Sequence, residues 1–143
     1  MTWKNPPDEQ IRLLLESAKI IAVVGCSPKP ERTSHQVAAV MQEAGYRVVP
    51  VHPKGGTILG ETVYPDLLSI PTDTPVDIVN VFLRSETVTP VAEAAVKIKA
   101  RGLWLQQGVV NEEAWRIATD AGLTCVMDRC IKVLHAVLLK AST

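Results

Sequence analysis

The sequence predicts one α/β domain of the Rossmann-like, doubly wound class, a mainly parallel sheet between two helical layers in a three-layer αβα arrangement. Three observations carry this expectation. Ile20-Ile21-Ala22-Val23-Val24 is an unbroken apolar run ended by Gly25, the pattern of a parallel strand covered on both faces. Further apolar runs recur along the chain, and where single helical stretches separate them the pattern implies parallel pairing and right-handed crossovers. The length of 143 residues, 47% of them apolar and 21% charged, suits one ordinary domain that buries its core without disulfides or metals.

Taken in order, Pro6-Pro7-Asp8 opens a lead-in helix whose Ile11, Leu14, Leu15 and Ala18 repeat at helical spacing. The first strand, 20–24, is followed by a helix that carries Val37, Ala38, Val40, Met41 and Ala44 and closes at Gly45. Arg47 to Val51 reads as the second strand. Lys54 to Thr74, rich in glycine and proline, reads as a loop with a short extended piece at Thr62-Val63-Tyr64. Val76 to Phe82 is the next strand and Val88 to Ala100 the next helix, with Val91, Ala92, Ala95 and Ile98 on one face. Gly102 to Leu105, Glu112 to Ala121 with Asn111 as N-cap, Leu123 to Met127, and Ile131 to Lys140 complete the alternation as strand, helix, strand and helix.

Lys plus Arg and Asp plus Glu both number 15, so there is no basic field to hold a nucleic acid. Cys26, Cys125 and Cys130 are odd in number and lack the paired spacing of a zinc site, so no metal site is expected. Free thiols fit a reducing compartment, and the cytoplasm is the expected location. The polar, proline-broken start and the absence of a long apolar run indicate neither export nor membrane insertion.

In doubly wound sheets, ligands bind beyond the carboxyl ends of the strands, where the strand order reverses. The first such end reads Gly25-Cys26-Ser27-Pro28-Lys29-Pro30-Glu31-Arg32-Thr33-Ser34-His35. A glycine directly after the strand and hydroxyls at the next helix's start are the parts of a phosphate site. Main-chain N–H groups and the helix's positive end favour an anion, Ser27 and Ser34 add hydroxyls, and Arg32 can pair with phosphate. The GxGxxG fingerprint of dinucleotide sites is broken, because Ser27 and Pro30 stand at its second and third glycines. The alternative is structural: Gly25 permits a turn, Ser34 or Thr33 caps the helix, and Arg32 is solvated.

The second strand ends Val51-His52-Pro53-Lys54. A dinucleotide site usually carries an acid here for a ribose hydroxyl, whereas Lys54 suggests a phosphate, and Val51 and Pro53 could line a slot for a base. Arg84, after the next strand, and Gln106-Gln107-Gly108, at the end of the one following, could grip the linker of a long ligand. A polar turn is the structural alternative for Gln107-Gly108.

Taken together, VVGCSPKPERTSHQV, VVPVHPK, LGETVYPDL, VDIVNVFLRSE, LWLQQGVVNEEA and DRCIKV, in that order, resemble the small stand-alone CoA-binding proteins. Those are similar to the N-terminal CoA-binding domain of the succinyl-CoA synthetase alpha chain. The resemblance spans residues 18–135 and implies that residues 1–143 form a single CoA-binding domain whose ligand is coenzyme A or an acyl-CoA. It further implies that Gly25, Cys26 and Ser27 approach the pyrophosphate, with Arg32 and Ser34 in support. Val51, Pro53 and Lys54 would hold the adenosine end, while Leu83, Arg84, Gln107 and Gly108 would flank the pantetheine path. Two positions depart from the family's pattern: Cys26 replaces a usual Ala, and Leu83 a frequent second Arg.

The expected function is thus CoA or acyl-CoA binding with no catalytic residue of its own evident, and with a partner subunit or a homodimer as the interactions left open. One alternative is a CoA-dependent acyl transferase or ligase subunit, for which Cys130, beside Arg129 and a helix start, is the best nucleophile. The synthetase's phosphorylated histidine belongs to a second domain not contained in these residues, so ligase activity is not carried over. The other alternative is an NAD(P)-binding oxidoreductase, opposed by the missing glycines and by Lys54. Cys26 and Cys130 are expected to be structural, His35 to cap or face solvent, and Trp104 and Trp115 to lie in the core or at a subunit interface.

Overall fold

The computed structural model describes residues 3–139. Its main sheet comprises β1 (Ile20–Val24), β2 (Arg47–Val51), β5 (Ile78–Val81), β6 (Gly102–Leu105) and β7 (Thr124–Val126). These strands are parallel throughout and ordered β2-β1-β5-β6-β7. Alternation along each strand divides the core in two. Ala22, Val24, Val79, Val81, Leu103 and Leu105 enter one cluster, while Ile21, Val23, Ile78 and Trp104 enter the other. Helices α1 (Asp8–Ser17), α2 (Thr33–Glu43) and α5 (Ile131–Leu139) supply the second cluster, and α3 (Thr89–Lys97) and α4 (Glu112–Asp120) the first. The fold is the expected Rossmann-like three-layer sandwich.

Chain order explains where a crevice opens. From β1 the chain moves outward to β2, then crosses to β5 on β1's other side, so the order reverses between β1 and β5. The segments leaving the two carboxyl ends diverge there.

Differences from the sequence expectations have local causes. The segment read as a loop holds a hairpin of β3 (Thr57–Ile58) and β4 (Glu61–Thr62), joined by Leu59 and Gly60 at φ 53° and 78°. Two positive φ values match the right-handed twist of a tight hairpin, and Leu59 rather than Asn or Asp hides the signal. The expected extended piece is present: Tyr64 bridges Val51 in parallel, with the His52 N–H donating to the Tyr64 carbonyl at 2.9 Å. The next strand spans only 78–81, and just before it the Asp77 carboxylate accepts the main-chain N–H groups of Lys19 and Ile20 at 2.8 and 3.0 Å. Helix α3 stops at Lys97, where Ala100 N–H bonds Ala95 and Lys99 N–H bonds Val96 in a Schellman-type end. Lys99 takes the left-handed position at φ 61°. Helix α5 is described to Leu139, and the expected end at Lys140 lies outside the described residues.

Trp104 is fully buried, with Nε1 donating to the Arg129 carbonyl at 2.9 Å, and Trp115 is half-buried against the α3 and α4 side. The Asn5 side chain pairs with both main-chain groups of Met127, at 2.9 and 2.8 Å, and so covers an edge of β7.

Candidate functional site

A cleft of about 440 Å³ lies where the strand order reverses, lined by the loop after β1, the start of α2, the turn after β2 and Phe82 after β5. Gly25 makes it possible. Its N–H donates to the Val51 carbonyl at 2.9 Å, and its φ of 83° is one that a side chain disfavours. A Cβ there would lie 2.5 Å from the Phe82 carbonyl oxygen. The glycine therefore lets the β1 loop and β5 approach each other.

Beyond Gly25 the chain is held by short-range bonds. Ser27 N–H donates to Ser34 Oγ at 2.9 Å, and Lys29 N–H donates to Ser27 Oγ at 3.1 Å. His35 Nδ1 donates to the Ser27 carbonyl at 3.0 Å, since that partner can only accept. The loop is thus tied to the helix it precedes. Arg32 is the N-cap of α2 and supplies no side-chain cap, so the helix's leading N–H groups are not claimed by one. With no acid in that first turn, the end of α2 favours an anion.

Four cationic or titratable nitrogen bases line the cleft, namely Lys29, Arg32, His52 and Lys54, and no acidic side chain is among its lining residues. Lys54 N–H donates to His52 Nδ1 at 3.2 Å, so the neutral His52 ring carries its proton on Nε2 as a further donor. The arrangement suits a phosphorylated ligand. A groove of about 570 Å³ at the opposite, amino edge includes Gln10, Leu13 and Lys99 but none of the candidate binding residues named from the sequence.

Residues 19–136 match the CoA binding domain family. The chain belongs to that family. This CoA-binding domain is 48% identical over 134 residues to an uncharacterized protein, YneT, of Bacillus subtilis (strain 168), covering 94% of this chain and 98% of that one. It superposes on a hypothetical protein of Pyrococcus horikoshii OT3 with a TM-score of 0.88 at 38% identity, over 97% and 99% of the two chains. Against Prb, the PH1109 protein redesigned for binding, the TM-score is 0.90 at 36% identity, over 96% of each. A Rex-family repressor, RSP, in complex with beta-NADH shares the fold alone, with a TM-score of 0.56 at 13% identity over 91% of this chain and 61% of that one.

Within the CoA-binding domain the cleft gathers Gly25, Ser27, Arg32, Ser34 and Lys54 from the residues singled out in the sequence. It adds Lys29, Thr33, His52 and Phe82, which the sequence reading left aside. Cys26 and Val51 are buried beneath, offering main chain but no exposed side chain, and Pro53 is exposed beside the cleft. Leu83 is half-buried beside Gly25, and Arg84 is exposed at the start of a 3₁₀ turn, Ser85–Thr87. Gln107 and Gly108 are exposed after β6, with Gly108 N–H donating to Asp128 Oδ1 at 2.7 Å. These last four do not line the cleft but lie along the same carboxyl edge.

The thiols have no pairing among the described residues: Cys26 and Cys125 are buried and Cys130 half-buried. Burial pushes Cys26 up to about 11 and Cys125 up to about 12, which keeps both protonated near neutrality. Among the described residues no group of His, Cys, Asp and Glu could hold a metal ion.

Proposed function

We propose that this protein binds coenzyme A or an acyl-CoA, with the phosphates in the cleft between β1 and β5 and the pantetheine arm along the carboxyl edge toward β6. The observation that carries this reading is the acid-free lining of Lys29, Arg32, His52 and Lys54 around a glycine-hinged loop, within a chain of the CoA-binding family.

The residues act by binding and orientation. Main-chain N–H groups at the start of α2 take the pyrophosphate, and Arg32 supports it with a planar fork suited to phosphate oxygens. Lys54 and His52 attract the phosphate at the adenosine end, and Pro53, exposed beside them, flanks the base. Leu83, Arg84, Gln107 and Gly108 guide the arm. Such a role is that of a carrier, a sensor or a subunit of a larger assembly, in a reducing compartment that preserves the thiols. No helix among the described residues is long and apolar enough to cross a membrane.

Native mass spectrometry of the protein as purified tests this reading. The expected adduct has the mass of CoA or an acyl-CoA. A nicotinamide dinucleotide in its place overturns the assignment.

A further inference from the structure

The helical layer of α1, α2 and α5 leaves apolar side chains in solvent. Helix α5 reads Ile131-Lys132-Val133-Leu134-His135-Ala136-Val137-Leu138-Leu139, with Lys132 its one charged side chain. Ile131, Leu134 and Leu138 turn inward to the core, while Val133 and Val137 are 48% and 61% exposed, with Ala136 exposed beside them. A helix that is apolar on every side is ordinarily covered on every side.

Helix α2 extends the same face. Its Gln42 Nε2 donates to the Leu59 carbonyl at 3.0 Å, so that flank of α2 faces the β3–β4 hairpin beside β2. Val40, two residues earlier, lies about 160° around the helix, on the flank toward α5, and is 40% exposed. Three of the five large apolar side chains exposed among the described residues thus gather on adjacent helices. Scattered singly they would mean little, but a continuous apolar face marks an interaction site.

Charge indicates what covers this face. Both helices begin at the carboxyl edge of the sheet, after β1 and β7, and run to the amino edge, where Leu139 shares a groove with Gly45 and Arg47. Lys132 stands at the first end of the face and Glu43 at the other, both exposed and neither in an ion pair among the described residues. A second copy, turned about a two-fold axis perpendicular to the helices, brings each cation to the other copy's anion. With the helices laid in the same direction, Lys132 would instead meet the start of α2 beside Arg32, a like charge.

We propose that two copies of this chain associate through the α2 and α5 face, α2 of each lying antiparallel across α5 of the other. The contact covers Val40, Val133 and Val137 of both copies and, by its symmetry, pairs Lys132 with the partner's Glu43 twice. The cleft at the carboxyl edge stays open, because the contact lies on the outer side of the helical layer.

Sedimentation equilibrium over a wide range of protein concentration tests this on wild type, Val133→Glu, Val137→Glu, Lys132→Glu, Glu43→Lys and the double charge reversal. Wild type is expected to pass from monomer to dimer as concentration rises. Either valine variant should raise the dimer Kd more than about tenfold by placing an unpaired charge in the contact. Each single reversal should raise it about two- to fivefold, and the double reversal should restore it. Circular dichroism checks folding, and if one valine variant fails to fold the other decides. A wild type that is monomeric at every concentration overturns the proposal and leaves the face to an unlike partner. A dimer indifferent to the valine variants uses another surface, which overturns it equally. A double reversal no better than the single ones overturns the antiparallel arrangement.

Discussion

Ser34 Oγ, in the first turn of α2, accepts the main-chain N–H of Ser27 at 2.9 Å and so locks the β1 loop to the helix that follows it. The His35 ring claims the Ser27 carbonyl as well, which leaves little freedom in the loop at Ser27. A loop fixed in advance loses less entropy when it closes on an anion. Ser34→Ala should cost about 1 kcal/mol in urea unfolding and weaken CoA binding through the loosened loop. A variant unchanged in both measurements would show that the bond does not organise the site.

Lys54 and Arg32 are both exposed, so their attraction for phosphate is subject to screening. Lys54→Ala and Arg32→Ala should each reduce CoA affinity roughly three- to tenfold at low ionic strength and much less at high salt. Thermal unfolding should be unaffected, as for other surface substitutions. Calorimetry at two salt concentrations checks the pairing of those effects.

Gly25→Ala combines a disfavoured φ of 83° with a Cβ 2.5 Å from the Phe82 carbonyl oxygen. Because that neighbour is main chain, relief requires β1 and β5 to separate at the cleft. The expected loss is about 3 kcal/mol of stability together with CoA binding. Retention of wild-type denaturation and affinity would mean that the close approach is unimportant.

Lys99 occupies the left-handed residue that ends α3, where glycine is usual. Lys99→Gly should stabilise the protein by about 1 kcal/mol, a rise of about 3 °C in melting temperature for a domain of this size. The position is remote from the cleft, so CoA affinity should stay the same.

Thiol chemistry gives a pH prediction with a definite sign. Cys26 and Cys125 are raised by burial from 9.0 to about 11 and about 12. The unfolded chain therefore releases these protons first as pH rises. Their contribution is fully present below pH 9 and is lost between there and about 11 to 12, so stability falls in that window. Cys26→Ala and Cys125→Ala should each flatten the alkaline limb of the stability curve. Near neutral pH, alkylation followed by peptide mass spectrometry should modify half-buried Cys130 before the other two.

The sheet was legible because each main strand is a short apolar run, all but β2 and β5 are joined to the next by a single α-helix, and alternate residues of β1, β5 and β6 enter opposite core clusters. The β3–β4 hairpin was not, since its turn uses Leu59, a residue that carries no turn signal. At the site, Gly25, Ser27, Arg32, Ser34 and Lys54 stand at strand and helix ends and could be picked out by position. Lys29 and His52 lacked a sequence partner to mark them, because what they face is set by the paths of the loops after β1 and β2.

The most direct test of CoA binding is calorimetric titration of ligand-free protein with CoA, NADPH and NADH under one set of conditions. CoA is expected to saturate one site per chain and to bind at least about tenfold more tightly than either dinucleotide, a difference of about 1.4 kcal/mol. Tighter binding of NADPH or NADH, or no saturable heat with CoA, would contradict the account.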